Sequence, residues 1–488
     1  MQTSENINEA FKELIFKSMQ ESVRKITVLP ASGSSRKYFR ITTETINLIG
    51  TYNSNIEENE AFFEFSRHFF RCGLPVPEII AINDEKDLYV QSDFGDDTLF
   101  NYVERCQKNG NFDDQTIELY KKSLDFLVDF QINGHKCLDY SKAFPTPEFD
   151  RTSIMDDLNY FKYCFLKLNE EISYNETRLN NDFQVLTDNI SKAPADFFMY
   201  RDFQSRNIMI KNREPHFIDY QGGRKGPLQY DVVSLLYQVK ARIPAEIRKE
   251  LLNHYLKTLE SKSEGSISSN GFLKFYPSFK LLRLLQVLGA YGFRGLIQKK
   301  LHFMQSIPFA IRELQNLIGE GPLPLELPEL KSVITQMEKL LPKFEPVDSE
   351  TLTVSVNSFS YKNGGVPADF SGNGGGFVFD CRALPNPGRY PEFKNSTGED
   401  DDVKEFMDSY QDTHFFMQNT QMLVFQSIDN YLERGFKNLQ INFGCTGGQH
   451  RSVFFAQKTA EMIHANYPMV KVIVNHIIQH KNHIYEPK

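Results

Sequence analysis

Residues 200–219 read YRDFQSRNIMIKNREPHFID, and this stretch decides the fold of the larger part of the chain. Asp202 and Asn207 lie five positions apart, and Asp219 follows twelve positions beyond Asn207. Each of the three adjoins a short apolar run that predicts a strand, so their side chains can face one cleft. Any one of them alone would be an ordinary turn residue. Together they supply a carboxylate for a reacting hydroxyl and oxygen ligands for Mg²⁺, which predicts a site for phosphoryl transfer.

The composition indicates a folded, soluble protein of more than one domain. The chain has 488 residues, which is long for one hydrophobic core, and its 40% hydrophobic and 24% charged residues are typical of globular proteins. The formal net charge of −8 disfavours non-specific binding to nucleic acids.

The same sequence predicts a cytoplasmic protein without a membrane span. The six cysteines form no Cys-x-x-Cys pair, which argues against a zinc knuckle and a disulfide framework. The N-terminus carries acids where an export signal needs basic and then apolar residues. The apolar run near Leu281 is interrupted by Arg283 and Arg294.

The order of strand-like and helix-like segments predicts two lobes before residue 348. Strand-like runs flank the turn 30–35, and a helical pattern at 57–70 precedes a short strand at 88–92. These segments predict a small lobe of about residues 1–95. Helical spacing dominates from there to residue 347, which predicts a helical lobe of about residues 96–347.

Prolines and acids between residues 319 and 350 predict a domain boundary at 347/348. Three strands follow it, at 351–359, 377–380 and 439–443, and a helix is predicted at 453–465. This order predicts a compact α/β domain over residues 348–488.

Two motifs carry a resemblance to a known group of enzymes. Residues 201–207, Arg-Asp-Phe-Gln-Ser-Arg-Asn, and 218–221, Ile-Asp-Tyr-Gln, resemble motifs of the aminoglycoside phosphotransferase superfamily, and within it those of the AmgK-type anomeric amino-sugar kinases. The resemblance spans about residues 26–318, although Tyr200 stands where the superfamily has His. It implies a bilobal protein-kinase-like fold with ATP and Mg²⁺ as cofactors.

The same resemblance implies roles for individual residues. Asp202 takes the place of the catalytic base, and Asn207 and Asp219 take those of the metal ligands. Asp231, in the continuing motif Tyr230-Asp231, corresponds to a buried acid that braces the catalytic loop.

The stretch 282–294 resembles the helix that lines the sugar pocket of those kinases. The same spacing is equally typical of an ordinary packed helix. The candidate contacts to a small sugar acceptor are Arg206, Gln286, Tyr291 and Arg294.

Residues 31–40, ASGSSRKYFR, predict a phosphate-binding turn, since small residues allow a tight turn and the basic residues supply positive charge. The next strand, 47–53, lacks the lysine with which kinases of this fold hold the phosphates. The resemblance to AmgK-type enzymes, which are also unusual there, implies that an upstream arginine substitutes for it. The candidate cofactor-binding residues are Arg36, Lys37, Arg40 and Glu60, with Glu64 as an alternative acid.

Residues 442–453, NFGCTGGQHRSV, predict a glycine turn between a strand and a helix. Converging backbone N–H groups and the positive end of the helix favour an anion there, and Arg451 can add a bidentate contact. Cys445 and Arg451 lie six positions apart, which is also the spacing of cysteine phosphatases. Phosphatase chemistry at Cys445 is the less favoured interpretation.

The glycine turn and the motif 379–387, FDCRALPNP, resemble the RapZ C-terminal domain over about residues 352–481. This resemblance implies a phosphosugar or phosphate ligand. RNA, the other ligand of that domain, is disfavoured because residues 351–488 contain 12 Lys or Arg against 14 Asp or Glu. The implied anion-site residues are Asp380, Arg382, Cys445, Thr446, Gly447, Gly448, His450 and Arg451.

The sequence as a whole predicts an α+β protein with a kinase-like phosphotransferase domain and a smaller RapZ C-terminal-like domain. The predicted activity is transfer of phosphate from ATP to a small-molecule hydroxyl, best matched by the anomeric hydroxyl of N-acetylmuramate or N-acetylglucosamine. The alternative is a non-catalytic or weakly catalytic sensor or adapter that binds an amino-sugar phosphate and regulates a partner. The missing strand lysine favours that alternative, and the presence of Asp202, Asn207 and Asp219 together opposes it.

Overall fold

The computed structural model of the chain describes residues 4–30, 36–319, 325–344, 351–369, 371 and 375–487. Contacts divide the chain into two compact units. The first comprises Met1–Ile297 and Phe309–Leu340, and the second comprises Gln298–Pro308 and Leu341–Lys488. The predicted domain boundary at 347/348 falls among residues 345–350, which lie outside the described residues, and it stays a prediction.

The strands of the first unit lie in its N-terminal part and around the motif at 200–219. They are β1 (Lys25–Val28), β2 (Lys37–Thr42), β3 (Asn47–Tyr52), β4 (Ile79–Ile82), β5 (Leu88–Ser92), β6 (Phe197–Met199), β7 (Ile208–Lys211), β8 (Glu214–Phe217) and β9 (Arg224–Gly226).

Thirteen α-helices lie before residue 345 in the described part of the chain. They are α1 (Ser4–Met19), α2 (Ile56–Arg71), α3 (Leu99–Asn109), α4 (Asp114–Ile132), α5 (Arg151–Cys164), α6 (Glu176–Ile190), α7 (Gln229–Leu236), α8 (Ala245–Lys262), α9 (Ser269–Tyr291), α10 (Leu301–Met304), α11 (Ile307–Gly319), α12 (Pro328–Gln336) and α13 (Leu341–Phe344).

A five-stranded antiparallel sheet forms the small lobe, in the order β1-β2-β3-β5-β4. Helix α1 covers it because Ile7, Phe11 and Ile15 recur at helical spacing and are all buried. The ring of Phe11 approaches Gly50 of β3 so closely that a Cβ atom there would lie 2.6 Å from the ring. Glycine at position 50 therefore allows the helix to seat on the sheet.

Helix α2 connects the small lobe to the motif region through an aromatic core. Its N-cap, Asn55, accepts a hydrogen bond from the Glu58 N–H, and the helix covers the predicted range 57–70. The ring of Phe62 stacks on Tyr220 at 5.5 Å, and Phe69 contacts Phe198 at 4.9 Å. These contacts fix the side of the helix that faces residues 197–220.

The motif region itself consists of short strands and tight turns. Strand β6 pairs with β9, and β7 forms an antiparallel hairpin with β8. A 3₁₀ turn at Ser205–Asn207 leads into β7. Arg201 and Asp219 have positive φ angles of 76° and 68°, a conformation that costs energy for non-glycine residues and that clusters at functional sites.

In the helical lobe, α5 and α9 pack against each other at two glycines near the end of α9. A Cβ atom on Gly289 would lie 2.7 Å from the Phe161 nitrogen, and one on Gly292 would lie 2.0 Å from the Cys164 carbonyl oxygen. After Gly292 the chain continues as a π-helical turn to Ile297. The C-terminal end of α9, which contains predicted contacts to the sugar acceptor, is therefore held against α5.

The second unit contains a five-stranded sheet in the order β11-β12-β10-β13-β14, parallel except for the edge strand β14. The predicted strands at 351–359, 377–380 and 439–443 and the helix at 453–465 are present, whereas β13 and β14 were not predicted. The elements are β10 (Thr353–Ser360), β11 (Gly376–Asp380), β12 (Asn438–Cys445), β13 (Lys471–His476), β14 (Lys481–Tyr485), α14 (Asp401–Asp408), α15 (Gln411–Glu433) and α16 (Arg451–Asn466).

No helix among the described residues is both long enough and apolar enough to cross a membrane.

We expect the substitution Gly292→Ala to destabilise the first unit by about 1–3 kcal/mol, because the added methyl group overlaps the Cys164 carbonyl and backbone must shift. Urea denaturation measures this change. Gly319→Ala is the matched control, since a Cβ atom there would have no described atom within 4 Å. Equal stability of the two variants would contradict a close α5–α9 contact.

Candidate functional site

The three polar residues of the 200–219 motif converge in the structure. The Asn207 Nδ2 donates to the Asp202 backbone carbonyl at 2.9 Å and to Asp219 Oδ2 at 3.2 Å. Gln221 Nε2 donates to the other oxygen, Asp219 Oδ1, at 2.8 Å. The Asp202 carboxylate receives one long contact of 3.4 Å, from Gln204 Nε2.

Arg36, directly before β2, completes this cluster from the small lobe. Its side chain is 5% exposed and forms an ion pair with Glu58 of α2. Its Nη1 also lies 3.4 Å from Asp219 Oδ1. One buried cation therefore joins an acid of the helix to an acid of the motif, and its contact with the helix acid resembles the Lys–Glu ion pair of kinases.

Arg36 carries a positive charge although it is buried. Burial by itself lowers the pKa of Arg36, but Tyr38, Tyr89 and Glu58 outweigh it and hold that pKa above its ordinary value. The Arg36 Nε is buried without a hydrogen-bond partner among the described residues. That nitrogen is a donor that an anionic ligand can use.

The other predicted cofactor-binding residues lie elsewhere. Lys37 is exposed, with its Nζ 6.0 Å from the centre of the Tyr52 ring. Arg40 binds the 93–96 turn through Asp93 and Asp96, with Nε to Asp93 Oδ2 at 2.6 Å. Residues 31–35 of the predicted phosphate turn lie outside the described residues.

Glu60 does not contact Arg36; it forms an ion pair with Lys86 instead, and its side chain is 37% exposed. The reason is helical geometry, since residues two positions apart on a helix point about 200° apart. Glu58 continues the line of buried Phe62, Phe65 and Phe69, and that spacing identifies the acid on the inner face.

Asp231, at the start of α7, is fully buried and holds the backbone that precedes Asp202. Its carboxylate accepts hydrogen bonds from the Tyr200 N–H at 2.7 Å and from the Arg201 N–H at 2.9 Å. Burial raises the pKa of Asp231 to about 7, although these two donors act to lower it. Asp231 therefore makes the bracing contact that the sequence implied.

A group of arginines lies beside Asp202. Arg201 forms a bidentate ion pair with Asp157, at 2.6 and 2.8 Å, and stacks over the Tyr230 ring at 4.8 Å. Arg224 binds only neutral groups, the Gly222 carbonyl and the Thr146 hydroxyl.

Two members of this group, Arg224 and Arg283, have no ion-pair partner among the described residues. Burial and the positive charge of Arg201 lower the pKa of Arg224 to about 10. Arg283 also lies near Tyr230, with its guanidinium carbon 5.4 Å from the centre of that ring, and its Nε is buried without a partner among the described residues. The electrostatics of the group thus favour a negatively charged neighbour.

The four residues predicted to contact the sugar acceptor lie in three places. Gln286 accepts a hydrogen bond from Arg283 and so borders the arginine group. Tyr291 is buried at the end of α9. Arg294 lies in the π-helical turn, where its positive charge acts to lower the pKa of Tyr160, which burial raises. Arg206 is exposed in the 3₁₀ turn beside Asn207.

In the second unit, β12 runs into the glycine turn 446–450, and α16 begins at Arg451. Gly448 has a φ of 75°, and a Cβ atom there would lie 2.5 Å from the Ile478 side chain, so glycine is required on both grounds. The Cys445 thiol is buried, with Sγ 3.1 Å from both the Gly448 nitrogen and Ser452 Oγ. Cys445 thus stabilises the turn from within.

Several predicted anion ligands already have protein partners. Arg451 Nη1 donates to the carbonyls of Cys381, Arg382 and Leu384 at 2.8–3.3 Å, and His450 Nε2 lies 2.9 Å from the Phe393 carbonyl.

The remaining candidates line the outside of the turn or form a separate ion pair. Asp380 and Arg382 bind each other at 2.6–3.0 Å, with Arg382 over the Tyr361 ring. Thr446 is partly exposed, and its carbonyl accepts from Ser360 Oγ at 2.7 Å, while Gly447 is exposed. The Arg451 Nε is buried and has no hydrogen-bond partner among the described residues.

Each of the two units contains a range of residues that matches the model of a known protein family. Residues 25–264 match the model of the phosphotransferase enzyme family, and residues 352–480 match the model of the RapZ C-terminal domain. The chain therefore combines a phosphotransferase-family domain with a RapZ C-terminal domain, and the predicted combination of a kinase-like domain and an α/β domain is confirmed.

Individual relatives cover parts of the chain. A nucleotide-binding protein of Solibacter usitatus is 41% identical over 111 residues, which are 23% of this chain and 33% of that protein. A nucleotide-binding protein of Fervidobacterium nodosum is 29% identical over 265 residues, which are 51% of this chain and 84% of that protein. Among solved structures, choline kinase from Cryptosporidium parvum matches 68% of this chain and 100% of its own, at 12% identity and a TM-score of 0.46.

We expect the stability of the protein to depend on pH through Asp231. Because its folded pKa is raised to about 7, the stability that protonated Asp231 contributes is present below about pH 4 and is lost as the pH rises through 7. Asp231→Asn cannot titrate. The free energy of unfolding of the native protein should therefore fall, relative to that of the variant, between about pH 4 and pH 7.

Urea denaturation across that pH range measures both free energies, and Asp84→Asn, at an exposed turn, is the control. Parallel profiles for the native protein and Asp231→Asn would show that the carboxylate does not titrate in this range.

Proposed function

We propose that the first unit transfers the γ-phosphoryl group of ATP to the anomeric hydroxyl of a cell-wall amino sugar, N-acetylmuramate or N-acetylglucosamine. The observation that carries this proposal is the single hydrogen-bonded cluster of Asp202, Asn207, Asp219 and Arg36. The match to the phosphotransferase enzyme family supports the reaction class. The resemblance to AmgK-type kinases supports the choice of acceptor.

Asp202 is placed to act as the base. Its carboxylate is partly exposed and has no ion-pair partner among the described residues, so it can accept a hydroxyl proton. The deprotonating acceptor oxygen then forms a bond to the γ-phosphorus, and the bond between that phosphorus and the bridging oxygen breaks to release ADP.

The residues present fit a magnesium ion. Asn207 uses its Nδ2 to donate to Asp202 and Asp219, which leaves its Oδ1 for a metal, and Asp219 presents a carboxylate beside it. Both are oxygen ligands, the kind that Mg²⁺ prefers. When bound, Mg²⁺ would neutralise charge on the phosphates.

Arg36 replaces the missing strand lysine. It is buried between Glu58 and Asp219 and keeps one unpaired donor, so it can hold a phosphate oxygen while Glu58 fixes its orientation. This arrangement supports the catalytic interpretation over a non-catalytic fold. Arg40 is saturated by Asp93 and Asp96 and stabilises the turn between the lobes instead.

Of the two proposed acceptors, the arginine group favours the acidic one, N-acetylmuramate. Arg224 and Arg283 form no ion pair among the described residues, and burial first, then the positive charge of Arg201, lowers the pKa of Arg224. N-acetylmuramate carries a carboxylate that N-acetylglucosamine lacks. An acceptor carboxylate would balance the charge, and we infer that N-acetylmuramate is the better substrate.

For the second unit we propose binding of a phosphosugar or phosphate at the glycine turn. The strand-to-helix geometry and the free Arg451 Nε support an anion there. The buried Cys445 gives no support to phosphatase chemistry. The alternative for the whole chain is a sensor that binds such a ligand and regulates a partner without turnover.

We expect Asp202→Asn to lower kcat by about 10²- to 10⁴-fold and to leave the Kd for ATP nearly unchanged, because the substitution removes the base and no nucleotide contact. ADP release is measured with a panel of hexosamines, aminoglycosides and choline, in which N-acetylmuramate should give the highest kcat/KM. Asp84→Asn is the exposed control. A native protein that releases no acceptor-dependent ADP with the whole panel would favour the sensor.

We expect Arg36→Gln to lower kcat/KM for ATP by about 10²- to 10³-fold, as loss of one preorganised charge donor does. The neighbouring, exposed Lys37→Gln is the matched control. In the same assay Glu58→Gln should impair ATP use and Glu60→Gln should not. Equal effects of Arg36→Gln and Lys37→Gln would contradict the proposed role of Arg36.

A further inference from the structure

Three side chains that can bind a metal ion meet on one face of the second unit, and none of them is a residue of the glycine turn. Glu399 lies in the segment before α14, His476 ends β13, and His483 lies on β14. One donor atom of each lies within 4.8 Å of the other two.

The strand register creates this arrangement. In the antiparallel pair of β13 and β14, Val474 lies opposite His483 and His476 lies opposite Lys481. The two histidines are therefore diagonal neighbours on the same face of the sheet, with ring centres 5.9 Å apart. Glu399 reaches this face from a segment far away in sequence.

The distances suit a small metal ion. Glu399 Oε1 lies 2.9 Å from His483 Nε2 and 3.9 Å from His476 Nε2. Ligand atoms around a tetrahedral Zn²⁺ with bonds of about 2.0–2.1 Å lie roughly 3.3 Å apart. Small side-chain rotations would bring all three atoms to bonding distance.

His476 has the surroundings of a ligating histidine. Its side chain is fully buried, and its Nδ1 lies 3.0 Å from Ser358 Oγ, which fixes the plane of the ring. Its Nε2 points toward Glu399 and has no hydrogen-bond partner among the described residues. A histidine with one nitrogen held by the protein and the other free is the usual arrangement at a metal site.

We propose that Glu399, His476 and His483 bind a divalent transition-metal ion, best matched by Zn²⁺, with water as the fourth ligand. Two imidazoles and one carboxylate suit zinc-like ions, whereas Mg²⁺ and Ca²⁺ prefer sites made of oxygen atoms. No step of the proposed phosphoryl transfer depends on this ion.

Lys481 is the competing cation. Its Nζ lies 3.2 Å from Glu399 Oε2, so it occupies the carboxylate oxygen that the histidines do not face. Metal binding requires His483 to present an unprotonated Nε2, with its proton on Nδ1. The positive charge of Lys481 weakens the attraction for a second cation, and it makes the site easier to empty with a chelator.

The ion would connect the C-terminal strand pair to the glycine turn. Gly398, next to Glu399, donates its N–H to the Gln449 carbonyl at 3.0 Å, and Gln479 Nε2 lies 3.3 Å from the same carbonyl. Gln449 belongs to the turn 446–450. Binding would therefore hold the 397–400 segment and the β13–β14 pair against that turn.

The test uses the full-length chain after chelator treatment, titrated with Zn²⁺ by calorimetry in excess Mg²⁺, so that sites made of oxygen atoms are already filled. We expect the native protein to bind Zn²⁺ at this site. Glu399→Gln and His483→Gln should each weaken binding by about tenfold or more, whereas His414→Gln, an exposed histidine of the same unit, should not.

A second readout is thermal unfolding, since an ion that binds only the folded state raises Tm. Zn²⁺ should raise the Tm of the native protein and of His414→Gln, but not that of His483→Gln. Equal Zn²⁺ affinity and equal Tm shifts in all variants, or no binding by the native protein, would overturn the proposal.

Discussion

The first unit depends on one buried cation, Arg36, held between two acids. Arg36 is almost completely removed from water, whereas Glu58 and Asp219 keep 26% and 36% of their side chains exposed. A buried guanidinium without an acidic partner is costly, so both acids must stay beside it. Glu58 comes from α2 and Asp219 from the turn after β8, and the ion pairs therefore couple the small lobe to the 200–219 motif.

The backbone conformation of the 200–219 motif holds Asp219 in position beside Arg36. Arg201 and Asp219 adopt positive φ angles, which non-glycine residues rarely do. Asp231 offsets this cost at Arg201 by accepting the N–H groups of residues 200 and 201, and Asp157 holds the Arg201 side chain. Asp202 is consequently positioned by its neighbours, and its own carboxylate forms no ion pair among the described residues.

In the second unit a ladder of asparagines plays a comparable part. Asn357 donates to Asn442 at 2.8 Å and accepts from Asn475 at 2.9 Å, so side chains of three parallel strands bind one another in register. Buried amides need these partners, and a slip of one residue would leave them unpaired. The register also sets where β12 and β13 end, and thus where the glycine turn and His476 lie.

Many of the elements, though not β13 and β14, and the 200–219 motif could be read from the sequence, because hydrophobic spacing and the intervals between Asp202, Asn207 and Asp219 are local properties. Helix α2, strand β5 and the β12–α16 turn follow from such patterns. Only the tertiary structure decided that Arg36 pairs with Glu58 and not Glu60, that Arg451 binds the carbonyls of residues 381–384, and that His476 and His483 meet Glu399. Each of these contacts joins residues distant in sequence, and burial and chain packing, which no local pattern encodes, select the partner.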